Sequence, residues 1–289
     1  MTEWTVMTVL SASTDHLRKH GSASPRLDAE LLLARVLGVT RLRLYLMHDM
    51  PMETAQRDVH REFIRRRAKG EPVAYLLGER EFHGHTFSVD RRVLVPRPET
   101  EFLVDAGVEA IDRLLAARPF DTLTVLDLCT GSGCVALSVK LARPQVSVTA
   151  VDVSRDALVV ARENEEALSA AGGVEWIEGD LDRAVVGRTF DIVLSNPPYV
   201  TDLEFDELPV DVRQHEPEVA LRSGTDALSF HRRILAACRD GLWRPGGRIA
   251  LEMGNPAGAI DMAALTLPLG RIDVRRDYAG CARVLVVDS

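Results

Sequence analysis

Asn196-Pro197-Pro198-Tyr199 places a carboxamide, two ring-locked backbones and an aromatic ring in four consecutive residues. Each proline lacks a backbone N–H and holds φ at about −65°, so its carbonyl stays an acceptor in a fixed direction with no donor beside it. Pro197 and Pro198 also keep the residues before them extended. A stiff tip of this kind suits a planar NH2 group. Its two hydrogens meet the Asn196 side-chain oxygen and the Pro197 carbonyl, and its flat face lies against Tyr199. Asn196, Pro197 and Tyr199 are therefore the candidate catalytic residues, with Pro198 completing the substrate-binding set. The plainer alternative is a strand that ends in a proline turn with Tyr199 in the core.

A second set lies upstream, where Leu126-Asp127-Leu128-Cys129-Thr130-Gly131-Ser132-Gly133-Cys134-Val135-Ala136 reads as a strand, a glycine-rich turn and a helix start. Gly131 and Gly133 permit positive φ and close approach of a ligand to the backbone. Val151-Asp152 ends the next strand with a carboxylate where such sheets bind ribose hydroxyls. Asp180 ends the third with an acceptor suited to an adenine amino group. The spacing Gly131-x-Gly133-x-x-Ala136 also fits a dinucleotide fingerprint, which admits an NAD-dependent oxidoreductase. Asp127 argues against it, because a carboxylate just before the turn repels a pyrophosphate and attracts an amino acid's ammonium. A cofactor that carries positive charge and a nucleoside, S-adenosylmethionine, accounts for these features together. Strand-end capping explains Asp152 or Asp180 singly but not the set.

Both sets need a sheet to bring them together. From residue 122 onward the pattern alternates strand and helix, which indicates an α/β fold with a parallel sheet. The strands are Val125–Leu128, Val146–Val151, Val174–Ile177, Phe190–Ser195, Arg248–Met253, Arg271–Arg275 and Val284–Val287. Helices are expected at Val135–Leu141, Arg155–Leu168, Ala227–Leu242 and Ala257–Leu265, and one of the last two strands should run antiparallel. Residues 1–73 read as helices only. Ser24-Pro25 starts one that Gly38 stops, and another runs from Thr54 to Lys69. Arg61, Arg65, Arg66, Arg67 and Lys69 make the densest basic cluster, read as a solvated helix face in preference to an RNA-binding patch. Residues 74–97 alternate around His83-Gly84-His85 as a β-hairpin linker. These two histidines lack a third ligand nearby and read as turn residues, so no metal centre is expected. Arg97, held between Pro96 and Pro98, is either structural or functional. The resulting division is 1–73, 74–97 and 98–289.

The chain has 289 residues, 46% of them hydrophobic and 27% charged, with a net charge of −8. Such a length favours two domains and supports a sizeable core. The acidic balance disfavours general binding to duplex nucleic acid. Cys129, Cys134, Cys238 and Cys281 form no paired spacing, which suits a reducing compartment. The sequence shows neither a secretory leader nor a run of membrane-spanning length, so a cytoplasmic protein is expected.

The chain resembles the HemK/PrmC family, the protein-(glutamine-N5) methyltransferases of peptide chain release factors. The likeness rests on Val93-Leu94-Val95-Pro96-Arg97-Pro98-Glu99-Thr100-Glu101, Asp127–Gly133, Asp152, Asn196-Pro197-Pro198-Tyr199, Glu216–Leu221, Leu251-Glu252-Met253-Gly254 and Asp277–Gly280 with Arg283. Asn-Pro-Pro-Tyr alone is shared with enzymes that methylate amino groups of nucleic-acid bases, and its combination with Pro-Arg-Pro-Glu-Thr-Glu is far more specific. The resemblance implies a Rossmann-like, seven-stranded class I methyltransferase sheet with a small N-terminal helical-bundle domain for substrate recognition. S-adenosylmethionine would be held by Cys129, Thr130, Gly131, Ser132 and Gly133, by Asp152 at the ribose, by Asp180 and Leu181 near the adenine, and by Asn196. The implied substrate is the glutamine of the release factors' Gly-Gly-Gln loop, received at Asn196 to Tyr199 by a monomer that needs no nucleic acid. Cys129 stands where the family usually has glycine, and Tyr278, Cys281 and Ala282 also depart from its usual pattern. A base-directed amino methyltransferase and a non-catalytic release-factor-binding protein are the rival functions.

Overall fold

The structure, a computed structural model, describes residues 4–119, 122–169, 173–254, 256–267 and 271–288. These fall into two compact units, Met1–Glu79 with Pro209–His215, and Arg80–Leu208 with Glu216–Ser289.

The first unit begins with α1 (Val6–Lys19), α2 (Pro25–Leu37), α3 (Arg41–Leu46), α4 (Thr54–Arg67) and α5 (Val73–Leu77). Thr5 opens α1 with a reciprocal capping box to Thr8. Pro25 opens α2 as expected, although the Ser24 side chain makes no capping bond, and Gly38 at φ +64° closes it. Val6, Leu10, Leu17, Leu32, Leu33 and Leu44 are fully buried between the helices. His60, buried and 2.9 Å from Ser13 Oγ, has its pKa pushed down to about 4 by burial. The basic cluster is not uniformly solvated. Arg61 pairs with Asp58, Arg65 with Glu62 and Arg66 with Glu71, while the largely buried Arg67 sits 2.7 Å from Asp28. Local carboxylates thus neutralise most of the charge that the sequence displays.

Residues 74–97 are not hairpin throughout. Pro72 and Gly78 delimit α5, because proline starts a helix readily and glycine at φ +76° ends one. The hairpin follows as β1 (Glu79–Phe82) and β2 (His85–Ser88). His83 at φ +48° and Gly84 at φ +77° form its two-residue turn.

A single 3-10 turn, Pro98–Thr100, leads into α6 (Glu101–Ala117). The alternation then runs β3 (Thr124–Leu128), α7 (Cys134–Ala142), β4 (Ser147–Asp152), α8 (Arg155–Ala167), β5 (Val174–Glu178) and β6 (Phe190–Ser195). Next come β7 (Val200–Thr201), α9 (Asp202–Phe205), α10 (Val210–Arg213), β8 (Arg222–Gly224), α11 (Ser229–Ala237), β9 (Trp243–Glu252), α12 (Pro256–Thr266), β10 (Arg271–Arg276) and β11 (Ala282–Asp288). The helix expected over 227–242 ends early as a helix proper. Beyond Ala237 the chain widens into a π-type turn, and Gly241 at φ +115° breaks it. The short β7–β8 pair was not legible in the sequence.

The main sheet has seven strands in the order β10-β11-β9-β6-β3-β4-β5. Strand β11 runs antiparallel to both β9 and β10, whereas β9, β6, β3, β4 and β5 pair in parallel. The period-2 alternation divides the core. Val125, Ile192, Leu194 and Ala250 face α6 and α7, and Leu126, Val193, Ile249 and Leu251 face α11 and α12. Helix α6 lies so close that a Cβ on Gly107 would come within 2.9 Å of Leu194. From β3 the chain winds outward through β4 and β5, then returns to place β6 on the other side of β3. That reversal opens a crevice at the carboxyl ends of β3 and β6, the usual ligand position in such sheets.

Candidate active site

Register brings the two chemical sets together. Leu128 pairs with Ser195, so the turn after β3 and the tip after β6 emerge side by side. They share a cavity of about 300 Å³, within the range of small-molecule sites. Cys129, Thr130, Gly131, Ser132, Asp152, Asp180, Leu181, Asn196 and Pro198 all line it. Gly133, Pro197 and Tyr199 lie outside this wall. Gly133 starts α7 at φ +78°, where a Cβ would strike Trp176 at 2.8 Å. It makes room for helix packing, and Gly131, with open space where a Cβ would point, faces the ligand side.

Hydrogen bonds hold the β3 turn from within. Thr130 Oγ1 donates to Asp127 Oδ2 at 2.6 Å, and the Ala136 N–H donates to the same oxygen at 3.2 Å. The Gly131 N–H donates to Asp152 Oδ2 at 2.8 Å, and Ser154 N–H to Asp152 Oδ1 at 2.9 Å. Burial pushes Asp127 up to about 7 against these bonds, and the nearby Asp152 charge adds to the rise. Burial also raises Asp152. Two carboxyls at one cavity wall with this electrostatic stress fit a ligand that brings positive charge and hydroxyl donors. They do not fit a pyrophosphate.

Two wall residues hold backbone that side chains resist. Cys129 has φ +60° and Leu181 φ +51°. For L residues the left-handed region costs roughly 1–2 kcal/mol, a strain that glycine at the position of Cys129 would relieve. Burial raises the Cys129 thiol well above its ordinary range, so it is no ready nucleophile. Asp180 is already engaged: Arg233 Nη1 reaches its Oδ1 at 2.5 Å and Arg183 its Oδ2 at 3.2 Å. Any adenine contact at Asp180 must share the carboxylate with these guanidinium groups.

At the other wall, Asn196 Nδ2 donates to Thr100 Oγ1 at 3.3 Å. One N–H of the amide is thereby engaged, and Oδ1 takes no hydrogen bond from the described residues. Tyr199 packs its ring against Gly254, where a Cβ would sit 2.9 Å from the ring, and its hydroxyl points 3.4 Å from Glu252 Oε1. Arg97 resolves as a clasp. Its Nη2 lies 2.5 Å from the buried Glu216, which also accepts the Val95 N–H at 3.2 Å, and Arg97, Pro96 and Pro217 all border the cavity.

Sequence reasoning missed Asn164 and Arg233, and it quoted Thr100 and Glu252 within the family motifs without giving either a role. Asn164 is fully buried; its amide donates to the Ser88 and Ser132 carbonyls and accepts from the Ser88 N–H, tying the hairpin to the cofactor-side turn. A signal existed, since Asn164 continues the Ala157–Ala161 apolar stripe of α8 as a polar residue. Among the described residues, no group of His, Cys, Asp and Glu is arranged to hold a metal ion, and no helix is long and apolar enough to cross a membrane.

A doubly wound parallel sheet closed by an antiparallel last strand, with an acid-flanked glycine turn beside an amide tip, defines a Rossmann-like methyltransferase. Residues 101–214 match the methyltransferase small domain and residues 8–78 the PrmC N-terminal domain. Such domains in general use S-adenosylmethionine. Among solved structures, the hMettl16 catalytic domain is similar in fold alone, at a TM-score of 0.57 and 13% identity over 76% of this chain and 83% of that one. A release factor glutamine methyltransferase from Rhodopirellula baltica is 43% identical over 98% of this chain and 96% of its own length. Another from Chlorobaculum tepidum is 38% identical over 95% and 94%. The chain belongs to the release factor glutamine methyltransferase family.

Proposed function

We propose that this protein transfers a methyl group from S-adenosylmethionine to the side-chain amide nitrogen of the glutamine in the Gly-Gly-Gln loop of peptide chain release factors. The observation that carries this reading is the shared cavity: the Asn196 amide, its nitrogen engaged by Thr100 and its oxygen unengaged, opens into the same space as Asp127's turn and Asp152. Bound there, S-adenosylmethionine supplies an electrophilic methyl on a sulfonium sulfur. Asp127 would attract its ammonium, Asp152 would accept ribose hydroxyl protons, and the Gly131 backbone would permit close approach.

A carboxamide nitrogen is a weak nucleophile, because its lone pair is delocalised. Asn196 Oδ1 and the Pro197 carbonyl would each accept one of its hydrogens, which orients the nitrogen and disperses the positive charge that develops on it. In-line alignment, with reacting atoms roughly 3–3.5 Å apart, then carries most of the acceleration. Formation of the N–C bond would break the methyl–sulfur bond and leave a neutral thioether, and the nitrogen, by then far more acidic, would release its proton to solvent. Tyr199 would border the substrate amide, and Cys129 to Gly133 with Asp180 and Leu181 would contain the rest of the cofactor.

The division into 1–73 for substrate recognition, 74–97 as linker and 98–289 for catalysis belongs to this proposal, as do a monomeric state and a cytoplasmic setting. Neutralisation of the basic cluster by neighbouring carboxylates of α2, α4 and Glu71 speaks against the base-directed alternative. Incubation with methyl-labelled S-adenosylmethionine plus either release factor or DNA tests the choice. Label on the release factor is expected; label on DNA alone, or on neither, overturns it.

A further inference from the structure

Helix α11 brings two side chains, one turn apart, to the Asp180 end of the cavity. Phe230 lines the wall, and Arg233 grips the turn that follows β5. Gly179, Asp180 and Leu181 of that turn line the cavity themselves. The turn is tight, since a Cβ on Gly179 would come within 2.5 Å of Ala184. Leu181 is buried within it at φ +51°, a conformation that persists only where the surroundings over-determine it. Arg233 supplies that constraint on both sides of Leu181. Its Nη1 donates to Asp180 Oδ1 at 2.5 Å, its Nη2 to the Asp180 carbonyl at 2.7 Å and its Nε to Asp182 Oδ1 at 2.6 Å. The Gly179 N–H donates to the Asp152 carbonyl at 2.9 Å, so β4 holds the start of the same turn.

We infer that Arg233 is a positioning residue for the cofactor: its guanidinium fork fixes Asp180 and Leu181 so that the cavity selects a purine with an exocyclic amino group. This rests on the proposed S-adenosylmethionine reading, in which Asp180 meets the adenine. A carboxylate offers about four acceptor positions on its two oxygens. Arg233 takes one on Oδ1, and Arg183 takes one on Oδ2 at 3.2 Å, so each oxygen can still accept another hydrogen. An amino N–H can therefore join without displacing either guanidinium. The two ion pairs are unequal. The Arg183 side chain is 75% exposed, and a surface pair of that kind contributes little. Arg233 is 29% exposed, and its planar fork makes three bonds at once, so it is the group that aims the carboxylate.

Lysine at this position would keep the charge but not the fork. A single ammonium cannot reproduce the planar contacts to the Asp180 carbonyl and to both carboxylates. Asp180 would turn, and the strain of roughly 1–2 kcal/mol held at Leu181 would relax. The effect stays at the cofactor's base. The hydrogen bonds of Arg233 go to Asp180 and Asp182 and, among the described residues, not to Asn196–Tyr199.

The test is calorimetry of the full chain with S-adenosylhomocysteine and with its purine-riboside analogue, which lacks only the 6-amino group. Wild type, Arg233→Lys and Asp182→Ala are compared. Wild type should prefer the amino form by at least about tenfold, because a site built to accept an N–H is left unpaired by a ligand without one. Arg233→Lys should lose about tenfold in affinity for S-adenosylhomocysteine and less than about threefold for the analogue, so the preference collapses. In release-factor methylation its KM for S-adenosylmethionine should rise by a similar factor, with kcat at saturation within about threefold of wild type. Asp182→Ala removes the partner of Nε and leaves Asp180 in place. It should shift the preference in the same direction, and it decides the matter should Arg233→Lys fail to fold. A merely structural arginine would weaken both ligands equally or lower stability alone. Either result overturns the inference, as does unchanged S-adenosylhomocysteine affinity or a wild type without the amino preference. A wild-type protein that shows the preference yet leaves release factor unmethylated defeats the functional proposal itself, an outcome distinct from these.

Discussion

Asn196 concentrates the chemistry into one carboxamide. Asn196→Ala removes an acceptor aimed at charge that develops in the transition state, and the loss in kcat should be about a hundredfold or more. Cofactor affinity, measured by calorimetry, should persist, since Asp127, Asp152 and the glycine turn are untouched. Asp127 governs a different quantity. A cationic cofactor favours its ionised form, so binding lowers a pKa that stands at about 7 in the free protein. Affinity should therefore rise with pH up to about 7, by at most about tenfold per unit, and then level off. Asp127→Asn can keep the Thr130 and Ala136 hydrogen bonds through its amide oxygen. It should bind S-adenosylmethionine more weakly at about pH 8 and show no such pH dependence. Cys129 poses a question of strain. At φ +60°, glycine relieves a conformation that alanine does not, so Cys129→Gly should exceed Cys129→Ala in stability by roughly 1 kcal/mol in denaturant unfolding.

Elements decide whether these side chains meet. Asn164 of α8 joins Ser88 of β2 to the Ser132 carbonyl, and Asn164→Ala would leave buried backbone groups unpaired. A loss of roughly 2–4 kcal/mol in stability is expected, with weaker cofactor binding as the turn loosens. Much of this architecture was legible from local pattern. Val125–Leu128 and Phe190–Ser195 are apolar runs closed by glycine or proline punctuation, and their ends coincide with the observed strand ends to within a residue. The glycine turn and Asn196–Tyr199 are contiguous, so their chemistry could be read without the fold. Thr100, Glu252 and Arg233 could not be placed in this way. Their partners lie across the sheet or on separate helices, and sequence alone does not give strand order. The helix expected over 227–242 ends early because Gly241 adopts φ +115°, and the Asp240-Gly241 pair was a turn signal that the expected helix ran through.

Across the whole molecule, titration couples the site to stability. Asp127 and Glu252 both stand at about 7 when folded, above their values as free carboxyls. The stabilisation associated with each is fully present below the unfolded pKa and is lost as pH rises through about 7. Depressed groups act oppositely: Asp90, held by Arg92, and Glu175, held by Arg188, contribute stability above their unfolded pKa that disappears on acidification. A Glu252→Gln variant separates the two trends. Its stability relative to wild type should rise between about pH 4.5 and about 7, at up to about 1.4 kcal/mol per unit. A flat difference in denaturant midpoint would show that folding does not raise the pKa of Glu252.

The most direct test of the shared cavity is tandem mass spectrometry of a release factor after reaction with S-adenosylmethionine and either wild-type protein or Asn196→Ala. The account predicts one added methyl on the glutamine of the Gly-Gly-Gln loop with wild type, and none with Asn196→Ala at equal cofactor occupancy. A methyl on another residue, or equal modification by the variant, would contradict it.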